Sequence, residues 1–157
     1  MVDSGIRPTK ESMDIYDLMS RKKGYDYSTF IIAKEGGKDA VVPGVSVELG
    51  KSKEKYGDED LKGVPVVYHA LTEELKKATQ ACFALVYVPF VTDDGRNSDK
   101  FALITWIPET TTILLKMSMS STKLSVIKKF SSALSIEAHD EDDLKYKEIA
   151  SKVKKSK

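Results

Sequence analysis

The side chains that most often act in catalysis or metal binding are few and widely spaced in this sequence. His69 and His139 are 70 residues apart, and neither has a second ligand at the local spacing of a metal site. Cys82 is the single cysteine, which excludes an internal disulfide and a metal site built from cysteines alone. Because Cys82 opens an apolar segment, we expect an unreactive, packed thiol.

Enzyme motifs are also missing from the chain. It has no GxxxxGK[ST] phosphate loop, no GxSxG turn, no HExxH motif and no CxxC pair. We therefore expect no enzymatic activity, no cofactor and no metal. One enzymatic alternative stays open, in which His139 acts with the acidic residues 140–143, although starting a helix is the simpler use of those acids.

The composition is that of an ordinary globular domain. The 157 residues suit one domain, and 41% of them are hydrophobic and 31% charged. The formal net charge of +1 excludes a general nucleic-acid binder. No apolar run approaches the roughly 20 residues of a membrane span, and the start MVDSGIRPTK lacks the apolar core of a signal peptide. We expect a single intracellular domain over residues 1–157.

Hydrophobic periodicity predicts a domain of mixed α and β structure, with one mixed sheet between helices. Thr9 is expected to cap the first helix and Gly24 to end it. Residues 1–8 are expected to be a flexible extension and 48–63 a solvated loop insertion, whereas 64–68 is ambiguous, with a short edge strand as one interpretation. The predicted helices cover about 9–23, 71–81, 111 to 129 or 133, and 140–157, and the predicted strands cover 28–33, 40–47, 82–88, 101–107 and 133–138.

The two strands at 82–88 and 101–107 are nearly continuous in apolar residues. They flank the polar tip 93–100, and this pattern predicts a hairpin. A strand that is apolar on both sides needs cover on both faces. We therefore expect helices on both faces of the sheet and Trp106 packed in the core.

The predicted helix that starts near residue 111 has a clear core-facing stripe. At about 100° per residue, Met119, Val126 and Phe130 fall within roughly 40° of one another. Such a stripe is what a helix lying on a sheet buries.

The same helix carries a second apolar line. Met117 and Leu124 fall roughly 150° from the core stripe, with Ser121 and Lys128 beside them. A helix on a sheet needs only one apolar stripe. The second line is therefore either an exposed contact surface for a partner or a wider core face, and both interpretations stay open from periodicity alone.

Two motifs around this helix resemble those of a known family. The segment KMSMSSTK at 116–123, preceded by Trp106-Ile107-Pro108-Glu109 at a strand end, is similar to the W-x-P-[DE] and K-M-x-Y-A-S-S-K signature of the actin-depolymerising factor (ADF)/cofilin family. Ser4-Gly5-Ile6 resembles that family's Ser-Gly-Val/Ile start. The order of predicted elements also agrees over almost the whole chain.

The resemblance implies the ADF-homology fold, a central mixed sheet of five to six strands with helices on both faces, and binding to actin. Ser4 matches the family's inhibitory phosphorylation site, where a phosphate adds nearly two negative charges. By position, the residues implied to bind an actin monomer are Lys116, Met117, Ser4, Gly5 and Ile6, and helix geometry adds Ser121, Leu124 and Lys128.

A second surface, used in the family to bind filaments, is implied by basic residues elsewhere. Lys100 matches the hairpin position closest to the strand, whereas Arg96 lies nearby but is shifted, and Ser98 stands where another base is expected. Lys152 and Lys155 match a pair in the terminal helix. This partial match bears on severing strength more than on binding.

The function implied by the resemblance is binding to actin monomers and filament sides, with filament depolymerisation, severing and turnover as the result. The chain departs from the family pattern at Met119, Ser120 and Leu114, where tyrosine, alanine and lysine are usual. A coactosin-like or glia-maturation-factor-like relative, without strong depolymerising activity, therefore stays open. Phosphoinositide lipids are a further implied partner, and the protein is expected to be a cytoplasmic, cytoskeletal monomer.

Overall fold

The computed structural model of the protein describes residues 5–57 and 63–156. In chain order the elements are α1 Lys10–Ser20, β1 Tyr25–Glu35, β2 Lys38–Glu48, α2 Lys51–Tyr56, α3 Val66–Lys77, β3 Cys82–Val91, β4 Asn97–Trp106, α4 Ile113–Lys129, β5 Leu134–Ala138 and α5 Tyr146–Lys155. The described residues form an α+β domain, as the sequence predicts.

The strands form a five-stranded sheet in the order β2-β1-β3-β4-β5. The first three neighbouring pairs are antiparallel, whereas β5 lies parallel to β4. A parallel neighbour requires a long crossover connection, and α4 provides it. The predicted mixed sheet is confirmed, and its parallel pair is what places α4 across one face.

Helices cover both faces of the sheet, as predicted. Side chains alternate between the two faces along each strand, so successive residues of β3 and β4 enter different cores. We call the two sides the α1/α4 layer and the α3/α5 layer. The buried side chains of the α1/α4 layer include Met19, Phe30, Phe83, Leu103, Met119, Val126 and Phe130, and those of the α3/α5 layer include Tyr68, Leu71, Leu75, Val86, Ile104, Trp106, Ile149 and Val153.

The β3–β4 hairpin is longer than predicted. Its register pairs Cys82 with Trp106 and Val91 with Asn97, so each strand continues into the polar part of the chain. Backbone pairing does not need apolar side chains, which is why hydrophobicity alone ended the first strand too early and began the second too late. The turn is tightened at Gly95, which has φ of 84°.

The start of the described chain is packed rather than flexible. Val41 donates a backbone hydrogen bond to Arg7 (2.9 Å) and accepts one from Thr9 (3.0 Å), and Ile6 is buried in the α1/α4 layer. The expected flexible extension over 1–8 is thus corrected for residues 6–8, whereas residues 1–4 lie outside the described residues. Thr9 caps α1 as predicted, accepting from the Ser12 backbone N–H, but the helix ends at Ser20.

The predicted solvated loop over 48–63 contains helix α2 at Lys51–Tyr56. Asp26, from β1, is 8% exposed. Its two carboxylate oxygens accept hydrogen bonds from the backbone N–H groups of Gly50 (3.0 Å) and Ser52 (2.9 Å). A side chain distant in sequence therefore takes the role of the N-cap, which is the physical reason why the local sequence predicted a loop.

Helix α3 begins earlier than predicted. Residues 64–68 were ambiguous, and the structure starts the helix at Val66, directly after Pro65. The expected cap Thr72 lies inside the helix and donates to the His69 carbonyl (2.8 Å). The helix ends at Lys77, so residues 78–81 form the connection to β3.

The acidic run 140–143 does not start the last helix, which corrects that prediction. Asp143 accepts from the His139 N–H (2.9 Å), and Asp140 accepts from the Asp143 N–H (2.9 Å). These acids thus satisfy backbone donors of a turn that precedes α5, and the helix itself begins at Tyr146.

We predict that Asp26→Ala lowers the free energy of unfolding by about 1–2 kcal/mol, because the buried N–H of Ser52 and the partly buried N–H of Gly50 lose their acceptor. Urea titration followed by circular dichroism measures the change. Asp39→Ala is the matched control, since Asp39 makes only an exposed contact with Lys34 at 3.7 Å. Equal stability of the two variants would contradict the capping role of Asp26.

Candidate functional site

Helix α4 crosses the sheet with one side buried. Thr112 caps it, accepting a hydrogen bond from the Leu115 N–H at 3.3 Å. Met119, Val126 and Phe130 are fully buried in the α1/α4 layer, together with Thr122. The core stripe predicted from periodicity is confirmed.

The second apolar line of α4 faces outward. Met117 is 64% exposed and Leu124 is 40% exposed, with Ser121 half-buried and Lys128 exposed beside them. The interpretation as a wider core face is therefore wrong. Ser121 donates to the backbone carbonyl of Met117 (3.1 Å), which keeps its hydroxyl close to the helix.

Two exposed residues of α4 were missed by the sequence reasoning. Ile113 is 76% exposed and Leu114 is 79% exposed, in the first turn of the helix. A pair of aliphatic residues at the start of a helix is usually interpreted as core. Their angular position, within about 60° of Met117 at 100° per residue, is the signal that could have placed them on the outward line.

The charges on α4 are all positive. The helix sequence ILLKMSMSSTKLSVIKK contains four lysines and no acidic residue. Lys123 pairs with Glu137 of β5 at 2.7 Å. Lys116 and Lys128 make no ion pair with any residue that the structure describes, so their charges remain available to a partner.

Glu137 holds α4 to the end of β5. Its carboxylate accepts from Lys123 and also contacts the ring Nε2 of His139 at 2.9 Å. These hydrogen bonds, that of Lys123 first, hold the pKa of Glu137 below its ordinary value of 4.5. His139 is therefore engaged in a structural contact beside α4.

The other residues considered for chemistry have structural surroundings. Cys82 is buried in the α3/α5 layer, which confirms that the thiol is packed, and burial raises its pKa to about 12. His69 packs edge-on against Tyr56, with ring centroids 4.9 Å apart. Within residues 5–57 and 63–156, no group of three or more His, Cys, Asp or Glu side chains could hold a metal ion.

Of the three N-terminal residues implied by the resemblance, the structure describes Gly5 and Ile6. Gly5 is exposed and has φ of 75°, whereas Ile6 contributes its side chain to the core of the α1/α4 layer. The chain start thus lies on the same side of the sheet as α4. Ser4 falls outside the described residues.

The hairpin tip is held by polar contacts of its own. Arg96 pairs with Asp94 at 2.9 Å, and Lys154 of α5 reaches Asp93 at 2.7 Å. Hydrogen bonds from Thr92 and Arg96, that of Thr92 first, lower the pKa of Asp94. Arg96 is therefore already engaged with an acid, unlike the other bases proposed for this surface.

The remaining bases of the second surface share one side of the sheet. Lys100 lies opposite Val88, in the strand register of the α3/α5 layer, and Lys152 and Lys155 lie on the exposed side of α5. None of these three lysines has an ion pair among the described residues. Asp99, next to Lys100, is bound instead by Lys22 at 3.0 Å.

We predict that Glu137→Gln lowers the free energy of unfolding at pH 7, because it removes the ion pair with Lys123. The expected loss is only about 0.3–1 kcal/mol, since this contact is partly exposed. Because the folded pKa of Glu137 is depressed, this stabilisation is present above pH 4.5 and is lost as pH falls through the folded pKa. Chemical denaturation between pH 7 and pH 3 measures it. Glu35→Gln, at the exposed end of β1, is the control, and a difference from wild type that is independent of pH would contradict the role of Glu137.

These features define a class of protein. The mixed sheet presents one exposed apolar and basic helix on its first side and, on its second side, a set of lysines without ion pairs among the described residues. Both surfaces are suited to noncovalent contact with a macromolecule. No helix in the described part of the chain has the length and apolar character needed to cross a membrane.

Comparison with known proteins identifies the family. The family profile described as "Cofilin/tropomyosin-type actin-binding protein" matches residues 5–154. The chain belongs to this family, which confirms the resemblance found in its motifs. No curated protein sequence matches it.

Solved structures show the same fold at low sequence identity. Actin depolymerization factor 2 of Plasmodium berghei is 18% identical with a TM-score of 0.73, covering 99% of this chain and 100% of that one. Cofilin of Streptomyces griseoflavus is 15% identical with a TM-score of 0.68, covering 98% and 100%. Human coactosin-like protein is 24% identical with a TM-score of 0.64, covering 99% and 92%.

Proposed function

We propose that this protein binds actin monomers through the outward side of α4 and filament sides through the lysines of the α3/α5 layer. By changing how filament subunits pack, it promotes depolymerisation, severing and turnover without covalent chemistry. The observation that carries this proposal is the exposed apolar line of α4, in a chain that belongs to an actin-binding family. The protein acts in the cytoplasm, on the actin cytoskeleton.

The composition of α4 supports a protein partner with an acidic rim. Met117 offers an apolar anchor at the centre of the exposed line, and apolar anchors of this kind provide much of the energy of an interface. Lys116 adjoins it in sequence and Lys128 lies further along the same helix, which contains no acidic residue. Complementary charges on actin would orient the complex and speed association. Ser120 and Ser121 are small enough to let a partner approach closely.

We predict that Lys116→Ala combined with Met117→Ala weakens binding of labelled actin monomers at least about tenfold, because an anchor and a charge are lost together. Fluorescence titration measures the affinity, and pyrene-actin depolymerisation measures the consequence. The matched control is Leu49→Ala with Lys53→Ala, which removes an exposed apolar residue and a lysine far from α4. Undiminished affinity of the α4 variant would remove the proposed site.

Ser4 is proposed as a switch for the same surface. Ile6 anchors the chain start on the α4 side of the sheet, so a phosphate nearby would bring negative charge towards the partner's acidic rim. Ser4→Glu imitates part of that charge in the same titration, with Ser4→Ala as its control. Equal affinity of the two variants would count against regulation at Ser4.

We predict that Lys152→Ala combined with Lys155→Ala weakens filament co-sedimentation about three- to thirtyfold, from roughly 0.3–1 kcal/mol for each exposed charge contact. Monomer affinity should remain unchanged, since α5 lies on the other side of the sheet from α4. Lys77→Ala with Lys147→Ala removes the same charge elsewhere in the α3/α5 layer and is the control. If both double variants lose filament affinity equally, the effect is one of net charge and not of this surface.

The alternative is a coactosin-like or glia-maturation-factor-like relative that binds filaments or branch junctions without strong depolymerising activity. The likeness to human coactosin-like protein supports it, as does the engagement of Arg96 by Asp94 at the hairpin tip. Microscopy of single filaments separates the candidates, because only the first shortens filaments by severing. Phosphoinositide binding by the α4 and α5 lysines is a further proposal, and co-sedimentation with phosphoinositide vesicles measures it.

A further inference from the structure

Strand β1 extends further than its neighbour β3 does. Its antiparallel register with β3 runs from Tyr27 to Phe30, whereas its register with β2 continues to Glu35. Residues 78–81, which precede β3, belong to no strand. The part of β1 after Phe30 therefore has a partner strand on one side only.

The backbone groups of this open edge have a defined direction. Val41 of β2 uses both its N–H and its C=O on the outer edge of the sheet, with Arg7 and Thr9. Opposite residues of an antiparallel pair either exchange both hydrogen bonds or both point away from each other. Ile32 lies opposite Val41, so its N–H and C=O point away from β2, and those of Lys34 do the same by alternation. In the described part of the chain, no backbone hydrogen bond joins either residue to the connection before β3.

A groove of about 490 Å³ lies between this edge and the connection before β3. Two of the apolar side chains that line it, Ile31 and Val45, are 40% and 42% exposed. Its charged lining consists of Glu74 and Lys77, which have opposite signs. The groove therefore favours an uncharged occupant. The other apolar side chains of its walls come from β1, the end of α3 and the start of α4, and include Ile32, Leu75, Ala78 and Leu115.

The domain already closes another strand edge with an extended segment of its own. Pro8 forms a parallel bridge with Val41 at the outer edge of β2. An extended polypeptide offers the same alternation of N–H and C=O groups to the open edge of β1. A lipid or a nucleic acid offers no such ladder, and the lining charges give neither of them an attraction. Lys34 and Glu35 are charges of the kind that protect an edge from pairing, and they leave its apolar part, Ile31 to Ala33, unprotected.

We propose that the open edge of β1 is a docking site for an extended, uncharged segment of a partner polypeptide. The segment adds a strand antiparallel to β1, in line with β3, and exchanges two backbone hydrogen bonds with Ile32. The partner residues on either side of that pair point to the face of Ile31, where the groove requires apolar side chains. This site is separate from the outward side of α4 and goes beyond the proposed function, because it does not depend on binding to actin.

Nuclear magnetic resonance of the labelled protein, with a synthetic peptide as the probe, tests the proposal. The probe is an acetylated and amidated heptapeptide of alternating valine and threonine, and its matched control is N-methylated at the three central residues. In the free protein the amide of Ile32 should exchange with solvent at least about tenfold faster than that of Ala33, which points towards β2. The probe at about 1 mM should slow the exchange of Ile32 about tenfold or more. The N-methylated peptide should not, because it cannot donate the backbone hydrogen bonds.

Substitutions in the groove test its apolar part. Ile31→Ser with Val45→Ser should weaken binding of the probe about tenfold or more, because both exposed apolar walls are lost. Leu49→Ser with Val91→Ser removes two exposed apolar residues outside the groove and should bind as the wild type does. Circular dichroism verifies that each variant is folded.

Each other outcome overturns the proposal in a distinct way. If the amide of Ile32 is as protected as that of Ala33 in the free protein, the edge is already closed. If the probe does not slow its exchange, or if the N-methylated peptide binds equally well, no strand is added. If the free protein sediments as a dimer and the variant with Ile31→Ser and Val45→Ser as a monomer, the edge pairs with a second copy of this chain instead. All these measurements are made without actin, so a failure of the proposed function would leave them unchanged.

Discussion

The burial of one side of α4 against the sheet is the interaction on which the site depends. Met119, Thr122 and Val126 are fully buried, and their contacts with the α1/α4 layer fix the rotation of the helix about its own axis. Any other rotation would expose this stripe and cover Met117. Because β5 must lie parallel to β4, the chain has to cross the sheet at this point, and the crossover helix presents its outer side to solvent over its full length.

Local periodicity is sufficient to predict some elements and not others. The β3–β4 hairpin and the inner stripe of α4 were predictable, because each has its apolar pattern within one short segment. Helix α2 was not, since its first turn is held by Asp26 from a strand 26 residues earlier. The start of α5 was misplaced because acids favour helix starts and also close turns, and only the fold decides which backbone donors they meet.

The candidate site shows a similar division. The outward line through Met117 and Leu124 could be predicted from helix geometry, because a second stripe is unnecessary for packing. Ile113 and Leu114 lie within about 60° of Met117 by the same geometry, but an aliphatic pair in a first turn is interpreted as core until the surrounding elements are known. In the same way, sequence alone cannot show that Arg96 is engaged by Asp94 whereas Lys100 has no acidic partner.

The sheet separates the two proposed surfaces physically. The α4 surface belongs to one layer and the α5 lysines to the other, with two apolar cores and the backbone of the sheet between them. A substitution on one exposed side therefore need not disturb the other side, because the two cores are separate clusters that share only the strands between them. The first turn of α4 exposes Ile113 and Leu114, whereas exposed positions of a helix are usually polar. Such departures from the usual pattern are expected at functional sites. The exposed residues lie at a helix start that hydrogen bonds join to Gln80 and Thr79, which favours recognition of a partner over a defect in packing.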